Sequence, residues 1–241
     1  MARLTWDANA DRLYETGVDH VALFLMKSDG TYDIGKAWNG ITGITESPDG
    51  ADANDIYADN IKYLSLISAE NWKGTIKGYT YPNEFNLCQG EYEFNNGASG
   101  DSLVDGVFFG QQPRRRFALA WRTIVGNAAE GDAYGYKLHI AYGLSAAPSE
   151  KDHSTVNDSP EATEYSWEIN SIPEVPTEEI DGGVPGPVSH VVIESRGNES
   201  VYNAIEDLIF GVTEDAQAEI DDADPTLPNI DGLITAIKAA A

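Results

Sequence analysis

Apolar and polar side chains alternate with a period of two along most of this chain. Phe117, Leu119, Trp121, Thr123 and Val125 alternate with Arg116, Ala118, Ala120, Arg122 and Ile124, the pattern of a strand with one buried face. Tyr136, Leu138, Ile140 and Tyr142 alternate with Lys137, His139 and Ala141, and Thr163, Tyr165, Trp167 and Ile169 with Glu164, Ser166 and Glu168. Shorter strands are predicted at 18–26, 37–46, 61–69, 72–81 and 188–195, separated by turn-forming clusters such as SPDG and NNGASGDS. The pattern predicts a mainly β fold of two packed antiparallel sheets, a sandwich or barrel.

Helical spacing is rare. PNEFNLCQG at 82–90 places Pro82 in a first turn and Gly90 at a stop, which predicts a short flanking helix. Val201, Ile205, Leu208 and Ile209 recur at helical spacing, with Ser200 as the expected cap, Gly211 as the expected end, and Glu206 and Asp207 facing outward. Before that helix lies the proline-rich stretch IPEVPTEEIDGGVPGP, which sustains neither a ladder nor a helix. The chain therefore divides into a β-sandwich domain at 1–172, a connector at 173–187, and a carboxy-terminal strand with a small helical appendage at 188–241. The sequence leaves open whether the end, DADPTLPNIDGLITAIKAAA, docks or stays disordered.

Charge narrows the partners. The chain carries 40 acidic residues against 15 Lys and Arg, a formal net charge of −25, which leaves no basic footprint for gripping nucleic acid. Residues 1–151 hold 13 basic and 20 acidic side chains and residues 152–241 hold 2 and 20, so the carboxy-terminal third dominates the field. Such a surface keeps a protein soluble, or repels polyanions. The amino-terminal MARLTWDANADRLYE lacks the apolar stretch of a signal peptide, and the longest apolar run, 21–26, is too short for a membrane span. A soluble protein of a reducing cytoplasm is expected, since Cys88 is the single cysteine and excludes an internal disulfide.

Motifs for chemistry are scarce. His20, His139, His153 and His190 accompany no recognisable nucleophile elbow, and no two of them stand at metal-ligand spacing along the chain. The Asp-rich stretch 47–60 carries Asp49, Asp52, Asn54, Asp55, Asp59 and Asn60 but misses the calcium-loop pattern. Paired carboxylates discriminate nothing in so acidic a chain. Arg114, Arg115 and Arg116 form the one basic run, expected to pair with acids of a neighbour rather than with phosphate.

Longer stretches carry a resemblance. AWNGITGITESPDGADANDIYADNIKYLSLISAENWKGTIKGYTYPNEF, then FALAWRTIVGNAAEGDAYGYKLHIAYGLSAAPSEKDHSTVNDSPEATEYSWEI, and the ending DPTLPNIDGLI resemble the major tail protein family of long-tailed bacteriophages with non-contractile tails. The similarity runs from about Gly17 to the end; the words TESPDGA, YADN, YTYP, GDAYGYKLH and NDSPEA are specific together. The proline-rich connector and the acidic stretch 214–224 depart from the pattern.

The resemblance implies a structural protein of the virion without catalytic residues or cofactor. It would be assembled in the host cytoplasm, with six copies closing into a ring and rings stacking into the tail tube that conducts the genome. Its partners would be copies of itself and other tail proteins: the tape measure, tail terminator and distal tail proteins. DNA would be met only in transit, with no membrane contact. An acidic wall suits that passage because lysines on it would hold the phosphates. Within such an assembly the polar loop 47–60, with Ser47, Pro48, Asp49, Gly50, Asp52, Asn54, Asp55 and Tyr57, is expected to be an inter-subunit arm. Glu164 and Glu168, on the wet face of their strand, are expected to line the lumen. A carbohydrate-binding or surface β-sandwich module is the alternative of a different class, resting on 5 Trp and 12 Tyr residues that could line a sugar-binding face.

Overall fold

The computed structural model describes residues 12–50, 53–67, 70–95, 103–153, 155, 162–180, 182–212 and 223–241. The fold is mainly β and antiparallel, consistent with a β-sandwich, as the alternation predicts. In chain order the strands are β1 (Leu13–Leu25), β2 (Lys36–Ala37), β3 (Ile41–Glu46), β4 (Ala53–Ala58), β5 (Ile61–Ile67) and β6 (Lys73–Gly78). They continue as β7 (Tyr92–Asn95), β8 (Leu103–Phe109), β9 (Phe117–Asn127), β10 (Gly131–Ala146), β11 (Tyr165–Ser171) and β12 (His190–Glu194). The helices are the one-turn α1 (Asn86–Gln89), α2 (Glu199–Phe210) and α3 (Ile230–Ala240).

Eight strands form one sheet in the order β2-β1-β9-β10-β11-β6-β3, with β12 also paired to β10. The long β10 turns the corner. Its residues 137–141 pair with β12 on the edge away from β9, and its residues 144–146 pair on that edge with β11. Between the two partners stands Gly143, with φ +61°, where a Cβ would lie 2.1 Å from the carbonyl oxygen of Ile172. Only glycine tolerates both the left-handed backbone and that approach.

The two faces of the sheet carry two apolar layers. Phe117, Leu119 and Trp121 of β9 face inward with Leu23, Trp38, Trp72, Ile76, Phe85, Leu144, Trp167 and Ile169. Ala118 and Ala120 face the other way, into a second cluster with Leu138, Ile140, Tyr142, Ile205, Ile209 and Leu233. The first half of β9 is thus buried on both faces, where alternation alone predicts one; the small alanines let the helices approach the outer face.

The carboxy-terminal end docks. Ile230, Leu233 and Ile234 of α3 are buried in the helical layer, and Asn229 caps the helix by accepting from the Gly232 N–H at 3.0 Å. The connector holds it in place. Glu174 accepts from Tyr32 Oη at 2.8 Å and from the Ile230 N–H at 3.0 Å, while Asp231 accepts from the Thr177 N–H at 2.7 Å. α2 ends at Gly211 as expected, but it starts earlier than Ser200 suggested: Asn198 is the cap, accepting from the Val201 N–H at 3.2 Å. Glu206 turns inward instead of outward because Arg122 lies beneath it at 3.1 Å.

Candidate functional site

The described residues of the segment 47–60 form a bridge to Asn71 and a strand rather than a polar loop. Ser47 donates its N–H to the Lys73 carbonyl at 2.8 Å, and Asp49 exchanges two backbone hydrogen bonds with Asn71 at 2.7 and 2.9 Å, so the β3–β6 ladder continues past the sheet. Lys73 also pairs with the Asp49 carboxylate and holds it below the usual carboxylate range. Beyond this base β4 and β5 pair with each other as a separate two-stranded sheet. Asp59 and Asn60 close it at φ +50° and +62°, the double left-handed turn that matches the strand twist.

Of the expected arm residues, Asn54, Asp55 and Tyr57 lie on β4, Ser47, Pro48, Asp49 and Gly50 form the base, and Asp52 lies outside the described residues. Asp55 accepts from Lys62 at 2.7 Å and from Ser65 Oγ at 2.5 Å. Both faces of the hairpin carry large apolar side chains among polar ones. Ile56, Leu64 and Leu66 share one face by their register; Tyr57, on the other, pairs with Lys62 across a break in the ladder that leaves Tyr63 unpaired, and all five large side chains are exposed, Tyr57 by 68% and Tyr63 by 67%. A second hairpin, β7–β8, exposes Phe94, Phe108 and Phe109.

Glu164 and Glu168 are both exposed. Glu164 precedes β11 and accepts from Thr42 Oγ1 at 2.5 Å. Glu168 lies on the outward face of β11 as expected, opposite Thr75, while its neighbours Ser166 and Asn170 lie opposite Lys77 and Lys73. The face is therefore mixed in charge, not the acidic wall that counting residues on one strand suggested. Arg114 and Arg115 donate within their own chain, to the carbonyls of Ala146 at 2.9 Å and Met26 at 3.1 Å.

The structure also assembles a cluster that linear spacing conceals. His139 and His190 are 51 residues apart, but Ala141 pairs with His190 across the β10–β12 ladder, so the two imidazoles sit side by side with His139 Nδ1 3.4 Å from His190 Nε2. Trp121 stacks on both rings, with centroids at 5.1 and 5.6 Å. Glu46, at the end of β3, lies 3.7 Å from His139 Nδ1 and 3.4 Å from His190 Nδ1. Burial pushes both imidazoles below the ordinary histidine range, against the opposing pull of Glu46. Each histidine is an isolated residue in its strand, and only the ladder register reveals the pair. Cys88 is buried, and burial pushes its thiol well above the usual range, which leaves it unreactive.

Comparison with known protein families and with curated proteins finds no match to this chain.

Proposed function

We propose that the chain is a self-assembling structural protein of a phage virion, the major tail protein whose hexameric rings stack into the tube that conducts the genome. The observation that carries this reading beyond the sequence resemblance is the β4–β5 hairpin. An isolated two-stranded hairpin is marginal in water, and a hairpin that serves its own core hides one face. Here both faces present large apolar side chains to solvent. Contact with another copy is the arrangement that covers them, and a head-to-tail contact of arm to body generates rings and stacks rather than closed dimers. Unpaired sheet edges find partners in the same way.

The net charge of −25 opposes such assembly by self-repulsion, so tube growth is promoted by salt that screens it. The test is negative-stain electron microscopy of the purified full chain across a concentration and salt series. Six-fold rings or tubes are expected; a strictly monomeric species at high concentration and moderate salt overturns the proposal. Specific retention on a carbohydrate array by such a monomer would point instead to a sugar-binding module.

A further inference from the structure

Glu46 of β3, His139 of β10 and His190 of β12 come from three strands and meet in one cluster. We propose that they bind one divalent transition-metal ion, zinc by ligand type, which fastens β3 to β10 and β12.

The spacing fits. At metal–ligand distances of about 2.0–2.1 Å, two ligands of a tetrahedral zinc lie about 3.3 Å apart. His139 Nδ1 and His190 Nε2 are 3.4 Å apart, Glu46 lies 3.7 Å from His139 Nδ1, and one ligand atom from each residue falls within 4.8 Å of the others. Two imidazoles and one carboxylate form a donor set that zinc takes with a fourth position left to water. Glu46 is about one-third exposed and supplies the entry side, while the His139 side chain is only 8% exposed.

The surrounding shell orients these ligands. Trp72 Nε1 donates to Glu46 Oε2 at 3.0 Å. Thr123 Oγ1 donates to Glu15 at 2.8 Å and lies 3.1 Å from His139 Nε2. With its hydroxyl proton committed to Glu15, Thr123 accepts from His139 Nε2–H, which leaves Nδ1 as a bare lone pair aimed at His190. Carboxylate-backed imidazoles of this kind are the usual support of a metal ligand.

With both imidazoles neutral, the cluster is one proton short. Neutral His190 has one N–H. It can satisfy His139 Nδ1 or the Glu46 carboxylate, both 3.4 Å away, but not both. One contact between two acceptors remains, in a half-buried place where unpaired polar atoms are costly. A single cation between the three groups removes it. An added proton on His190 would also do so, and the experiment must separate the two.

The full chain, stripped with a chelator and held at pH 7.5, is titrated with Zn²⁺ in competition with a chromophoric indicator, and with Co²⁺ while its visible absorption is followed. One zinc per chain and the intense visible bands of four-coordinate Co²⁺ are expected. Glu46→Gln and His190→Ala each lower the affinity at least tenfold. Thr123→Val, a change at a positioning residue, lowers it about 10- to 100-fold with the three ligands intact. A His20→Ala/His153→Ala variant binds as the parent does. Circular dichroism establishes that each variant is folded; should His190→Ala fail to fold, the partly exposed Glu46→Gln decides. Absence of zinc binding at micromolar concentration, or a parent-like affinity in folded Glu46→Gln and Thr123→Val, overturns the site and leaves the proton as the occupant.

Discussion

Replacing Tyr57 and Tyr63 by Ser separates folding from assembly. The two side chains flank the irregular step of the β4–β5 ladder and are 68% and 67% exposed, so neither contributes materially to the core. A tyrosine offers roughly 200 Å², which leaves about 140 Å² on each ring for a partner to cover. At about 25 cal/mol per Å², complete coverage of both corresponds to about 7 kcal/mol, an upper limit. Much of that is offset by the ordering and desolvation that association demands. Interface tyrosines at well-packed positions are worth about 2 kcal/mol each. The double variant should therefore raise the concentration needed for assembly by roughly a thousandfold, and each single variant by roughly thirtyfold. Its unfolding free energy should stay within about 0.5 kcal/mol of the parent, as exposed substitutions do. Sedimentation across a concentration series gives the first quantity and urea denaturation of the dissociated chain the second. A double variant that assembles at the parent concentration refutes the assignment of this end of the hairpin to a subunit contact. A folded-state loss of several kcal/mol instead makes the hairpin part of its own core.

Three further outcomes follow from the fold. Gly143→Ala, which forces a Cβ to within 2.1 Å of the Ile172 carbonyl at positive φ, should cost about 3 kcal/mol or more in urea denaturation and loosen the corner of β10. Leu233→Ala, at a fully buried position of α3, should cost about 3 kcal/mol, detectable as a lowered midpoint; an unchanged midpoint would mean that the carboxy-terminal helix is not docked in solution. Burial pushes the Asp19 carboxyl up, but hydrogen bonds from Arg122 at 2.8 and 3.1 Å and from His20 carry it below its ordinary value overall. Its contribution to stability is complete above the unfolded carboxylate pKa, about 3.9, and is lost as pH falls through the lower folded value. Arg122→Met should therefore reduce the loss of stability on acidification below about pH 4.

The core strands were legible because period-two alternation survives tertiary folding: Trp167 and Ile169 point inward and Glu168 outward, as read. What alternation cannot supply is what covers the second face. Ala118 and Ala120 read as the wet side of β9 until α2 and α3 are placed upon them. β4 is not legible for a related reason: Asp55 sits beside the exposed Ile56 and Tyr57, and a strand with polar and apolar residues on both faces has no period to detect. Its signal was the Asp59–Asn60 pair, a turn dipeptide that accepts positive φ at both positions. His139 and His190 left no linear signal at all, because the β10–β12 register that joins them is set by strands 51 residues apart.

The same distinction between chain and surface governs the charge. A net −25 describes the whole molecule, but at a Debye length of about 8 Å a passing polyanion senses only the side chains nearest to it. On the outward face of β11 and β6 those are Glu168 together with Lys73 and Lys77, and Lys73 is already engaged by Asp49. Glu168 therefore repels phosphate less than an isolated carboxylate would, since Lys77 lies two pairs along the same ladder, on the same face. If this face lines a tube, its low stickiness rests on compensated charge rather than on acidity. Lys77→Glu, which removes the compensation, should then leave DNA passage unchanged or faster, whereas Glu168→Lys, which leaves the lysines unopposed, should slow it most at low salt.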